Sequence, residues 1–168
     1  MTSFNPPQMK VTFGKEEPLG LMLKRAYLLL ESGELKLARA CVAQACASYP
    51  EEPLPHALQG AVEIAAGDLE LALKLLRHAS RKWPEHPAPQ LYLAETFLLS
   101  QKVGQARRKV SAVLEQLEGL HDDALDRGWI EMARHLGALC EHIEPSQIPA
   151  PLRSHEEEDG AQTPVEGR

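Results

Sequence analysis

Apolar positions along this chain recur every three to four residues, the spacing of helices with one buried face. Leu19 to Leu30 is apolar almost throughout, broken only by Gly20, Lys24 and Arg25, and predicts a first helix that ends at Ser32 and Gly33. A second helix is predicted from Glu34 to Ser48, with Leu35, Ala38, Val42 and Ala45 on one stripe. Pro50 and Pro53 punctuate the connection to a third, Leu54 to Ala66. Gly67 and Asp68 turn the chain into a fourth, Leu69 to Lys82. Pro84, Pro87 and Pro89 mark the next joint, followed by Leu91 to Leu99, a turn near Ser100 and Gln101, and Val103 to Leu117. A seventh helix, Asp122 to Ile143, carries Trp129, Met132, Ala133, Leu136 and Leu139 on one face. Seven such blocks in succession predict an all-α fold class.

The blocks repeat. Gly33 to Ala38 aligns with Gly67 to Ala72 at an offset of 34 residues, and the same step carries Ala45 to Ala79 and Pro50 to Pro84. Ala38, Ala72 and Ala106 form one column of small residues, and Ala26, Gly60 and Ala94 another. A fixed period of this length marks a stacked array of helix hairpins, each unit burying its apolar face on the next. The chain resembles the tetratricopeptide repeat (TPR) family over units 19–52, 53–86 and 87–120. The resemblance is carried by Ala38 with Val42, Ala72 with Leu76, and Ala106 with Val110. It departs from the family where a bulky aromatic is expected, at Met22, His56 and Gln90, and in the third unit at Val113 and Glu118. It implies a right-handed α-solenoid of three helix hairpins over residues 19–143, with 121–143 as a C-terminal capping helix. Residues 1–18 read as an extended lead-in, and 144–168 as a disordered acidic tail.

Composition agrees with a soluble helical domain: 43% hydrophobic, 25% charged and only 5% aromatic, so alanine and leucine carry the core. The net charge is −6, of which −4 lies in residues 144–168, where six acidic side chains meet two basic ones. A nearly neutral body excludes a nucleic-acid binder that works by neutralising phosphates. Met1 to Pro7 lacks the basic start and apolar run of a signal peptide, and no stretch is long and apolar enough to span a membrane. Three cysteines suit a reducing compartment, so the expected location is the cytoplasm.

The candidate chemistry does not converge. Cys41 and Cys46 lie five apart on one helix and face different ways, outside any zinc-pair spacing. His135 and His142 share a helix face two turns apart, with Cys140 beside them, too far for one metal. Glycines sit singly in turns, so no phosphate loop exists, and nothing resembles a nucleophile elbow. No catalytic residue, metal or cofactor is expected. Arg77, Arg81, Lys82, Arg107, Arg108 and Lys109 make the second helices basic, which reads as a solvated outer face or else a weak site for an acidic partner.

In the arrays this chain resembles, the first helices of each unit line a concave surface. The resemblance directs Leu23, Tyr27 and Leu30, then Ala57, Ala61 and Ile64, then Leu91, Glu95 and Leu98 toward it. Family members that clamp a terminal carboxylate use basic and amide side chains where this chain has Leu23, Tyr27, Ala57 and Ala61, so that activity is not expected. Leu19–Leu30 and Leu91–Leu99 are apolar nearly all round, and such helices require cover on every side. The expected function is binding of an apolar or amphipathic segment of a partner protein, as an adaptor or a dedicated chaperone. Size, acidity and an apolar groove are shared with the secretion chaperones of bacterial type III systems. The alternative is an obligate subunit whose groove or cap is permanently buried in a larger assembly.

Overall fold

The computed structural model describes residues 18–118 and 124–143. Among these residues the chain forms seven helices and no strand: α1 (Pro18–Glu31), α2 (Leu35–Ser48), α3 (Pro53–Ala66), α4 (Leu69–Lys82), α5 (Pro87–Leu99), α6 (Val103–Glu118) and α7 (Ala124–His142). Successive helices pack as hairpins, and α3 also packs on α5, so the first helices of adjacent pairs form one layer. The result is an all-α helical-repeat solenoid.

Three turns share one geometry. Glu34 donates its backbone N–H to Leu29 O and Gly33 to Leu30 O; Asp68 and Gly67 do the same to Glu63 and Ile64, and Lys102 and Gln101 to Phe97 and Leu98. This paired bonding satisfies the last carbonyls of a helix and needs a left-handed residue at its centre. Gly33 (φ 77°) and Gly67 (φ 80°) supply it without strain, whereas the third turn places Gln101 there at φ 61°.

Starts are equally regular. Pro53 and Pro87 open α3 and α5, where a missing N–H costs nothing. The fifth helix thus begins four residues before the expected Leu91, because Pro87 and Pro89 both lie in the first turn, which has no N–H bonds to lose. Pro18 likewise belongs to α1 and not to the lead-in. The remainder of that lead-in and the acidic tail lie outside the described residues.

The small-residue columns mark where helices approach. Ala26, Ala94, Ala38, Ala72 and Ala106 are buried, and Gly60 is tightest, since a Cβ there would collide with the Leu76 side chain. Between the first two hairpins, Arg39 of α2 donates two hydrogen bonds to Glu63 of α3, at 2.8 and 2.7 Å. That fork engages both oxygens of a carboxylate whose side chain is 4% exposed. At the far end Trp129, Met132, Ala133 and Leu136 of α7 seal the array as expected, joined by Cys140, while Leu139 is only half-buried.

Candidate functional site

The nine residues expected on the concave face divide by their place in the repeat. Leu23, Ala57 and Leu91 are 34 residues apart and almost wholly buried, at 1%, 0% and 0% exposure. They are core, packed under the layer of first helices, and offer a partner no surface. Tyr27, Ala61 and Glu95 form the next column, and Leu30, Ile64 and Leu98 the third; all are half-buried except Ala61, which is 6% exposed. The open part of the face is therefore Tyr27, Leu30, Ile64, Glu95 and Leu98.

One contact across this face joins residues that the 34-residue step does not relate. The Tyr27 and Tyr92 hydroxyls lie 3.3 Å apart, linking α1 to α5. In the second unit the column of Tyr27 holds Ala61, on the helix that packs against both α1 and α5. Burial raises the Tyr27 hydroxyl above its ordinary pKa. Tyr92 is raised further, by burial first and then by Tyr27 and the nearby Glu95. Both therefore stay protonated, and one donates to the other. Tyr92 belongs to no repeat column that contains Tyr27, so periodicity could not single it out. Its Trp129 neighbour, edge-on at a ring distance of 6.4 Å, ties this floor to the capping helix.

Glu95 is the carboxyl on this face. Burial pushes its pKa up to about 7, and among the described residues it has no ion-pair or hydrogen-bond partner.

The near-continuous apolar surface of α5 finds its cover within the chain. Leu91, Tyr92, Leu93, Ala94 and Phe97 are buried by α3, α4, α6 and α7. The expectation that something must cover this helix on every side is met by its own neighbours, and only Leu98 and Leu99 remain open. On α1, by contrast, Leu21 and Leu28 are 64% and 57% exposed, and no helix pair precedes α1 among the described residues.

Among the described residues, two clefts are lined by none of the nine residues expected on the concave face. One, of about 410 Å³, is lined by Ser80, Arg81, Gln90, Lys109 and Gln116 among others. Gln90 Oε1 accepts from Ser80 Oγ (2.7 Å) and Lys109 Nζ (2.8 Å), while its amide donates to the Ser80 and Pro84 carbonyls. Every polar atom of Gln90 is used in stapling α4 to α5 and α6. The other cleft, of about 370 Å³, surrounds Trp83, with the Lys82 ammonium 4.5 Å above its ring and His56 beside it.

No group of three or more metal-ligating side chains occurs among the described residues. All three cysteines are free thiols; burial pushes Cys46 up to about 11 and raises Cys140. Cys41 donates to the Met22 carbonyl at 3.3 Å. No described helix is long and apolar enough to cross a membrane.

Residues 63–124 match the tetratricopeptide repeat family model. No curated protein matches the sequence. Among solved structures, the type III secretion translocator chaperone SycD of Yersinia enterocolitica aligns at TM-score 0.63 and 17% identity, over 74% of this chain and 89% of that one. The same chaperone in complex with a peptide of the translocator YopD aligns at 0.59 and 16%, over 73% and 89%. The Sgt2 TPR domain from Aspergillus fumigatus aligns at 0.56 and 18%, over 87% and 92%. The shared architecture is a fold likeness; the sequence match to the tetratricopeptide repeat family lies inside it at residues 63–124, and the 34-residue columns run through all three helix pairs.

Proposed function

We propose that this protein is a non-enzymatic interaction module, an adaptor or dedicated chaperone, that holds an apolar or amphipathic segment of a partner protein against its concave face. The observation that carries this reading is the row of Tyr27, Leu30, Ile64 and Leu98, large side chains left half-open on rigid helices. A groove of this kind suits a helix or extended segment that lays down apolar anchors. In support, SycD, similar in fold, has been captured with a translocator peptide. The units proposed for the array are 19–52, 53–86 and 87–120, with the cap at 121–143. The proposed compartment is the cytoplasm, which suits three unpaired thiols.

Partner capture by Leu98→Ala and Leu91→Ala variants tests the reading. Leu98→Ala should weaken capture about ten-fold or more while the melting temperature moves little. Leu91→Ala should lower stability by about 2–4 kcal/mol, and its folded fraction should capture normally. Unchanged capture by Leu98→Ala and Ile64→Ala alike would remove the groove as the site.

One observation favours the alternative of an obligate subunit: the exposure of Leu21 and Leu28 on α1. Sedimentation of the isolated chain separates the two. A stable monodisperse species supports the adaptor, and concentration-dependent aggregation that Leu21→Lys and Leu28→Lys relieve supports the subunit.

A further inference from the structure

Among the five open residues expected on the concave face, Glu95 is the carboxyl, set among apolar and phenolic side chains. Glu95 sits one helical turn after Tyr92 and one before Leu98 on α5, in the column that Tyr27 and Ala61 occupy on α1 and α3. It is half-buried, and among the described residues no lysine, arginine or histidine pairs with it. The other buried carboxyl of the layer, Glu63, is already held by Arg39. A carboxylate taken partly out of water without a counter-ion is a cost to the free protein, relieved when a cation arrives in the same low-dielectric place.

We infer that Glu95 is the specificity-determining residue of the groove, receiving the ammonium or guanidinium of one basic residue set among the apolar anchors of the partner segment. The proposal rests on the groove reading above and adds the partner's chemistry: an amphipathic helix with a single lysine or arginine inside its apolar face. The stem of such a residue is apolar and suited to lie along Leu98 and Ile64, with its charged head at Glu95. Burial already pushes this carboxyl up to about 7, the mark of a site where charge is poorly compensated. An incoming cation returns it to the ionised form, so the pair forms by shedding a proton from the groove at neutral pH. A purely apolar segment leaves that cost in place, which is how the groove discriminates between two segments of equal hydrophobicity.

The test is a displayed library of 18-residue amphipathic helices with one randomised position in the apolar face, selected at pH 8 against the full chain and against Glu95→Gln and Glu95→Lys. Selection on the unaltered protein should enrich lysine or arginine at that position. Glu95→Gln should lose the preference, and Glu95→Lys should reverse it toward aspartate or glutamate. In the best binder, replacing the basic residue by norleucine should weaken binding to the unaltered protein about ten-fold and to Glu95→Gln hardly at all. Apolar helices enriched equally by all three proteins, with no basic preference, overturn the role of Glu95 and leave the groove standing. Failure of any apolar-faced helix to enrich overturns both. Because Gln abolishes the preference while Lys inverts it, a merely structural loss cannot imitate the expected pattern.

Discussion

Tyr27 on α1 and Tyr92 on α5 meet hydroxyl to hydroxyl at 3.3 Å, although 65 residues of chain separate them. The bridge ties the first helix of the first pair to the first helix of the third, both of which pack on α3. Removing one hydroxyl strands the other in a buried place, while removing both does not. Tyr27→Phe should therefore cost about 1 kcal/mol, Tyr92→Phe about the same, and the double variant no more than either single one. Urea denaturation of the three variants checks this, and simple additivity would show that the two hydroxyls are not coupled.

Gly60→Ala sets two effects against each other. Alanine improves helix propensity by about 1 kcal/mol. Against that, the added Cβ runs into the body of the Leu76 side chain, which is fully buried and has nowhere to go. Overpacking of this kind costs up to about 3 kcal/mol, so the expected net loss is about 2 kcal/mol. A variant that melts with the unaltered protein would mean that α3 and α4 can separate without penalty.

Gln101 occupies a left-handed position that the two preceding turns give to glycine. Gln101→Gly relieves about 1–2 kcal/mol of steric cost and gives part of it back to the entropy of the unfolded chain. A gain of about 0.5–1 kcal/mol is expected in thermal or chemical denaturation. A loss would indicate that the glutamine side chain contributes a contact worth more than the strain.

Glu95 should make stability fall as pH rises. Its folded pKa, about 7, lies above the ordinary carboxylate value of 4.5, so the folded state holds a proton that the unfolded chain releases first. The contribution is fully present below about pH 4.5 and is lost as pH climbs through 7, amounting to about 3 kcal/mol at most. Glu95→Gln, which cannot ionise, should flatten the profile in that window. Parallel pH–stability curves for the two proteins would contradict the burial of this carboxyl.

Cys46 should be slow to alkylate at pH 8 and should quicken steadily as pH approaches 11, since only the thiolate reacts and burial holds the thiol protonated. Mass spectrometry after timed iodoacetamide treatment of a Cys41→Ala, Cys140→Ala background resolves it. Labelling at the rate of an unhindered thiol at pH 8 would show the site to be open.

Helix number, the turn glycines and the small-residue columns were legible because each is a local requirement. A left-handed turn asks for glycine at Gly33 and Gly67, close approach asks for Ala38, Ala72 and Ala106, and both recur wherever the unit recurs. The α5 start was misread because Pro87 and Pro89 look like breakers, yet at the head of a helix they break nothing.

The concave face was only partly legible. The repeat named the columns, and every member of the nine belongs to them, but a column position does not say how deep a side chain sits. Depth depends on what packs around it: the helices packed on α5 bury Leu91, whereas among the described residues no further pair lies against α1 to cover Leu21 and Leu28. Which faces are apolar, and how often they return, follows from the residues alone, because hydrophobic periodicity and backbone geometry act over a few residues. It took the packed helices to show that Leu23, Ala57 and Leu91 are core, that Tyr27 reaches Tyr92, and that Glu95 has no partner among the described residues. Those facts arise from contacts between residues tens of positions apart, where burial and desolvation are set by neighbours that no local pattern records.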